Sequence, residues 1–168
     1  MEWEQVDNRI QSSYFLVQKM EDHDGIFIIE DREGSWYFLK VVSVHTVDFT
    51  IVEQLHQTEI AGVNRIVEYF VVEERCYLIK EYIHGCTFFD EILLQGLYAE
   101  TDVLNMLLSL CDSLRKMYQQ YGLVFKDLHP KNVMIQNGSY ILVDTETVRL
   151  VKENRSSDTQ VIGVACVL

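Results

Sequence analysis

Val124-Phe125-Lys126-Asp127-Leu128-His129-Pro130-Lys131-Asn132-Val133-Met134-Ile135, followed closely by Tyr140-Ile141-Leu142-Val143-Asp144, decides how the chain reads. An acid is followed five residues on by an amide, and the amide twelve residues on by a second acid. Between the amide and the second acid lie two apolar runs joined at Asn137-Gly138. Asn-Gly in that setting predicts a hairpin, because both residues tolerate the positive φ of a type I′ turn. The hairpin would carry Asn132 and Asp144 on opposite arms and bring both near Asp127. Two carboxylates and one amide offer only oxygen to a ligand. That suits a hard cation such as magnesium, with phosphate completing its shell.

The 168 residues make one domain or two small lobes, long enough to bury a core. A formal net charge of −12 and the absence of any Lys/Arg run argue against nucleic acid or an anionic membrane as partner. The cysteines (Cys76, Cys86, Cys111, Cys166) form no Cys-x-x-Cys pair and sit in apolar stretches, where thiols usually act as small core residues. The five histidines show no metal spacing. Met1-Glu2-Trp3-Glu4-Gln5 is acidic and polar, unlike a signal peptide, and no apolar run reaches membrane-spanning length. A reducing cytoplasm is the expected compartment.

Outward from the centre, Tyr14 to Val17, Ile26 to Ile29 and Trp36 to Val44 read as three strands of an antiparallel meander, with polar turns between. Phe49 to Ile60 has helical periodicity, and strands are expected around Ile66 to Phe70 and Cys76 to Tyr82. Thr101 is the expected N-cap of a long helix that ends at Gly122. A last helix is expected from Asp158, with the apolar end Val161 to Leu168 needing cover.

The central stretch resembles the catalytic and metal-binding loops of the protein-kinase-like superfamily. Its pattern H-R-D-L-x-x-x-x-N stands here as Phe125-Lys126-Asp127-Leu128 and Asn132, and its D-F-G as Asp144-Thr145-Glu146. The resemblance implies an α+β, two-lobed fold: an N-lobe over 1–83 with a sheet and one helix, and a reduced, mainly helical C-lobe over 84–168. It implies that Asp127 orients or deprotonates an acceptor hydroxyl, while Asn132 and Asp144 hold magnesium on the phosphates of ATP. Tyr37-Phe38-Leu39-Lys40 looks like the V-A-I-K strand, so Lys40 would contact phosphate. Glu53, counted from the following strand, would pair with Lys40; counting forward from Lys40 selects Glu59 instead. Glu81 and Ile83 would present a carbonyl and an amide to the adenine, and Lys80 stands where the family usually has an apolar gatekeeper. Asp158, five before Gly163, is similar to the aspartate of the D-x-W-S-x-G helix, which supports the catalytic loop.

Three departures bear on activity. The place of the glycine-rich phosphate loop holds only Gly25 beside Glu21, Asp22 and Asp24. The histidine of H-R-D is Phe125, and Thr145-Glu146 replaces Phe-Gly. With only fourteen positions between Asp144 and Asp158, a full activation segment does not fit. The chain is thus similar to compact, atypical kinases of the RIO and aminoglycoside-phosphotransferase types. The expected function is an ATP- and magnesium-dependent phosphotransferase acting on a hydroxyl of a protein or small molecule. The alternatives are a pseudokinase that regulates a partner, and an unrelated α+β domain with no nucleotide site. Self-association, a partner protein or a longer chain is expected to cover the apolar end.

Overall fold

The computed structural model describes residues 1–21, 23–96 and 98–151. The chain divides into two compact units, the first made of Met1–Thr58 with Arg65–Tyr82, the second of Glu59–Asn64 with the chain from Ile83 onward. The expected last helix, with Asp158, Gly163 and the apolar run Val161 to Leu168, lies outside the described residues, as do Asp22 and Cys166.

The first unit is built on five antiparallel strands: β1 (Phe15–Lys19), β2 (Ile26–Glu30), β3 (Trp36–Ser43), β4 (Ile66–Val72) and β5 (Arg75–Glu81), in the order β1-β2-β3-β5-β4. The turn between β2 and β3 is held by Asp31, whose carboxylate accepts from the Glu33 and Ser35 amides at 3.0 and 2.8 Å. Its hydrogen bonds from the Ser35, Glu33 and Gly34 amides and from Tyr37 hold that carboxyl below its ordinary pKa. Side chains alternate across a strand, so Phe27 and Ile29, Leu39 and Val41, and Tyr77 and Ile79 share one face. Val6 and Ile10 complete the core on that face. Ile10 lies on a short helix, α1 (Asn8–Ser13), whose N-cap Asp7 accepts from the Arg9 amide at 3.0 Å. Trp3 adds an edge-on ring contact with Phe27. Six helical residues are too few to show a period, which hides α1 from sequence reading.

The helix expected over Phe49 to Ile60 is α2 (Phe49–Gln57); it buries Ile51, Val52 and Leu55 and packs on β4. Capped by Asp48, it stops three residues earlier than expected because Thr58 is already extended.

In the second unit, α3 (Phe88–Gln95) precedes α4 (Glu100–Tyr121). Thr87 caps α3, accepting from the Asp90 amide at 3.1 Å while its hydroxyl donates to the Asp90 carboxylate at 2.6 Å. The N-cap of α4 is Ala99, without a side-chain cap, and not the expected Thr101, which lies inside the first turn. The carboxylates Glu100 and Asp102 in that turn favour the helix N-terminus instead. Gly122 ends α4 in the left-handed conformation, as expected. No helix among the described residues is long and apolar enough to cross a membrane.

Candidate active site

The hairpin predicted from Asn137-Gly138 is present as β8 (Val133–Gln136) and β9 (Ser139–Leu142), with Gln136 opposite Ser139. Asn137 and Gly138 have φ of 50° and 76°, the two positive values a type I′ turn needs. A third strand, β6 (Cys86–Thr87), pairs with β8. From the turn the register runs back to Val133 opposite Leu142, and the Val143 amide donates to the Asn132 carbonyl at 3.0 Å. Asp144 therefore leaves the hairpin one residue beyond the point where Asn132 is bonded across it.

The segment carrying Asp127 is tied at both ends. Before it, β7 (Leu123–Val124) pairs with β10 (Arg149–Leu150), and Phe125 is buried. After it, Pro130–Asn132 forms a 3-10 turn that runs into β8. Asn132 is buried at 7% exposure, and its Nδ2 donates to the Asp127 carbonyl at 2.9 Å and to Asp127 Oδ2 at 3.3 Å. One amide group thus braces both the backbone and the carboxylate of the expected base. His129, which the sequence reading gave no role, also faces this carboxylate, with Nε2 3.5 Å from Asp127 Oδ2. The signal for it was the two-residue spacing in Asp127-Leu128-His129.

Asp144 itself has φ 59° and ψ 46°. Asp tolerates this left-handed region better than most residues, yet it costs of order 1 kcal/mol or more, and such strain gathers at functional sites. The next residue, Thr145, begins a 3-10 turn and is fully buried, and its Oγ1 has no hydrogen-bond partner among the described residues. An unpaired buried hydroxyl is destabilising. The near-isosteric Thr145→Val should therefore raise stability by about 1 kcal/mol in a denaturant titration; a loss of stability would show the hydroxyl to be paired.

The donor set fits a hard cation. With Nδ2 of Asn132 engaged, its Oδ1 is the atom left for a metal, and Asp144 adds carboxylate oxygen. Among the described residues no group of three His, Cys, Asp or Glu is arranged to hold a metal, so phosphate would have to supply much of the shell.

The remaining candidates lie as follows. Lys40 is in β3, opposite Ile26 of β2 and Leu78 of β5. Glu53 is on α2, where its carboxylate accepts from the Tyr69 hydroxyl and the Gln57 side-chain amide. The alternative, Glu59, is exposed and lies past the end of α2. Lys80 is 2% exposed in β5, opposite Phe38 and Ile66. The Glu81 amide donates to the Arg65 carbonyl at 3.2 Å, and its carboxylate lies 3.9 Å from the Arg65 guanidinium. The buried Ile83 accepts at its carbonyl from the Gly85 amide at 2.9 Å. In place of a phosphate loop, Gly25 packs against β3: its carbonyl accepts from the Val41 amide at 2.8 Å, and a Cβ on it would lie 2.8 Å from the Val41 carbonyl. This glycine is needed for close packing of the sheet.

The cysteines follow the core expectation only in part. Cys76 is buried, whereas Cys86 and Cys111 are half-buried. The Cys86 thiol donates to Glu91 Oε2 at 3.3 Å, and burial together with that carboxylate pushes its pKa up.

The family model described as the protein kinase domain matches residues 39–165, starting one residue before Lys40. Serine/threonine-protein kinase cds1 of Schizosaccharomyces pombe is 24% identical over 127 residues, 68% of this chain and 27% of its own. Human serine/threonine-protein kinase H1 is 30% identical over 80 residues, 48% of this chain and 19% of its own. The probable serine/threonine-protein kinase fhkC of Dictyostelium discoideum is 24% identical over 124 residues, 68% of this chain and 21% of its own. The chain thus spans about a quarter or less of these relatives. With the family match extending over well more than half of its length, this chain belongs to the protein kinase domain family.

Proposed function

We propose that the chain is a phosphotransferase domain that moves the γ-phosphate of ATP to a hydroxyl, with a protein serine or threonine as the acceptor class. The observation that carries this reading is the bracing of Asp127. Asn132 and His129 both approach Oδ2, and among the described residues no hydrogen bond or ion pair engages Oδ1, the atom we assign to the acceptor. The hydroxyl proton passes to Asp127 Oδ1 as the hydroxyl oxygen bonds to the γ-phosphorus and the β–γ bridging bond breaks. Asn132 Oδ1 and the Asp144 carboxylate would hold magnesium, which when bound neutralises phosphate charge. Lys40 adds a positive charge for the phosphates. Glu81 and Ile83 are the proposed backbone contacts to adenine, with Lys80 beside them. Asp158 is proposed to support the loop from the last helix. The acceptor class rests on the relatives' names, serine/threonine-protein kinases. A cytoplasmic location is part of the same proposal.

A second reading, a pseudokinase that binds a partner without transferring phosphate, has its own support. Glu53 is engaged by Tyr69 and Gln57, and acids flank Gly25 where phosphate would lie.

Thermal unfolding with and without ATP and magnesium separates the two. Ligand at about a hundred times its dissociation constant stabilises a fold by about 2.7 kcal/mol, a rise of several degrees for a chain of this size. The expected result is a magnesium-dependent rise in the wild type that is lost in Asp144→Asn. No rise in either protein would favour the partner-binding reading.

A further inference from the structure

We infer that His129 is a positioning residue for Asp127, acting through one fixed imidazole tautomer; the inference rests on the phosphotransferase reading and assigns a further residue to that site. The argument starts at the 3-10 turn Pro130–Asn132, whose N-cap is His129. The Lys131 amide donates to His129 Nδ1 at 3.2 Å, so Nδ1 must carry a lone pair. A neutral imidazole bears one proton, which is therefore on Nε2. Nε2 is the atom facing Asp127 Oδ2 at 3.5 Å. At 3.5 Å the pair is close but short of a hydrogen bond, and such contacts at reacting groups often tighten only once substrate binds.

Two donors then converge on one oxygen of Asp127. The buried Asn132 places Nδ2 3.3 Å from Oδ2, and the half-exposed His129 places Nε2 3.5 Å from the same oxygen. A single donor leaves a carboxylate free to rotate about its last torsion. Two donors on the same oxygen fix the plane and keep Oδ1 directed at the acceptor. The turn itself locks the imidazole: Pro130 restricts the chain directly after His129, and the Asn132 amide closes the turn on the His129 carbonyl at 2.9 Å. The same short turn therefore delivers both donors.

The informative variant is His129→Asn. Asparagine is a preferred N-cap, so its side-chain oxygen can still accept from the Lys131 amide, but it is too short to donate to Asp127 as Nε2 does. With the full chain, kcat should fall roughly tenfold to hundredfold, with the nucleotide KM and the unfolding midpoint unchanged. Unchanged kcat would overturn the inference. The second measurement is the nitrogen spectrum of the His129 imidazole, with the neutral ring observed in wild type and in Asp127→Asn. A protonated Nε2 whose resonance moves in Asp127→Asn supports the inference; a protonated Nδ1, or no response to that substitution, refutes it. A wild type that transfers no phosphate would refute the phosphotransferase reading, while the tautomer still decides whether His129 holds Asp127.

Discussion

Asp127→Asn should lower phosphate transfer by 10²–10⁴-fold, the usual contribution of a positioned general base, with little change in stability or nucleotide affinity. That range corresponds to about 3–5 kcal/mol of barrier. The substitution is a clean one because the amide can replace the carboxylate geometrically. Its oxygen can take the place of Oδ2, accepting from Asn132 Nδ2 and facing His129 Nε2 as the carboxylate oxygen does now. The amide nitrogen then falls where Oδ1 was. It has no lone pair to receive the hydroxyl proton. Removing Asn132 would be a poorer test, because it is buried and braces the Asp127 backbone as well as the side chain. Steady-state transfer to a hydroxyl acceptor, paired with a melting curve, decides the matter. Full activity in a folded Asp127→Asn protein would remove the base from the mechanism.

The largest effect on stability is expected at Gly85, in the connector that leads into β6. A Cβ placed there would lie 1.8 Å from the Ile135 carbonyl oxygen and 2.8 Å from its carbon. Neither atom belongs to a flexible side chain, so the strand itself must move. Cys86 pairs with Ile135 in the β6–β8 ladder, directly beside the clash. Gly85→Ala should therefore break that pairing and cost about 3 kcal/mol, at the upper end of overpacking effects. Since β8 begins at Val133, directly after Asn132, the displaced strand should also loosen the brace on Asp127. The expectation is a lower denaturant midpoint and reduced transfer in the same variant. A Gly85→Ala protein as stable as wild type would mean that the β6–β8 contact is not as close as described.

Much of the second unit's site was legible in order, and the reason is local. The Asn137-Gly138 turn sets the β8–β9 register, and a register with a two-residue turn has no freedom to slip. Placing Asn132 and Asp144 on facing arms required nothing beyond the turn residues and the alternation beside them. The end of α4 at Gly122 was readable for the same kind of reason, a backbone conformation that glycine adopts without strain. The start of α4 was not. Thr101 is a good capping residue two positions too late, and the helix begins at Glu100, after Ala99, without any side-chain cap. The start of α3 carries a local signal, Thr87 followed three residues on by Asp90, but the run behind it is too short to show a helical period.

Contacts between distant residues were out of reach. Glu53 was expected to meet Lys40, thirteen positions away, yet it meets Tyr69, sixteen positions away in the other direction. Val6 and Ile10 read as isolated apolar residues in a polar N-terminal segment, yet they cover a sheet face formed by β2, β3 and β5. The sequence by itself determined the five strands of the first unit, the hairpin register and the spacing of Asp127, Asn132 and Asp144, because turn chemistry and side-chain alternation act over a few bonds. The tertiary structure alone decided which oxygen of Asp127 is braced, that His129 joins Asn132 there, and that Gly85 has no room for a methyl group. Each of these depends on two backbone segments meeting at a given distance, and distance between segments is a property of the packed chain.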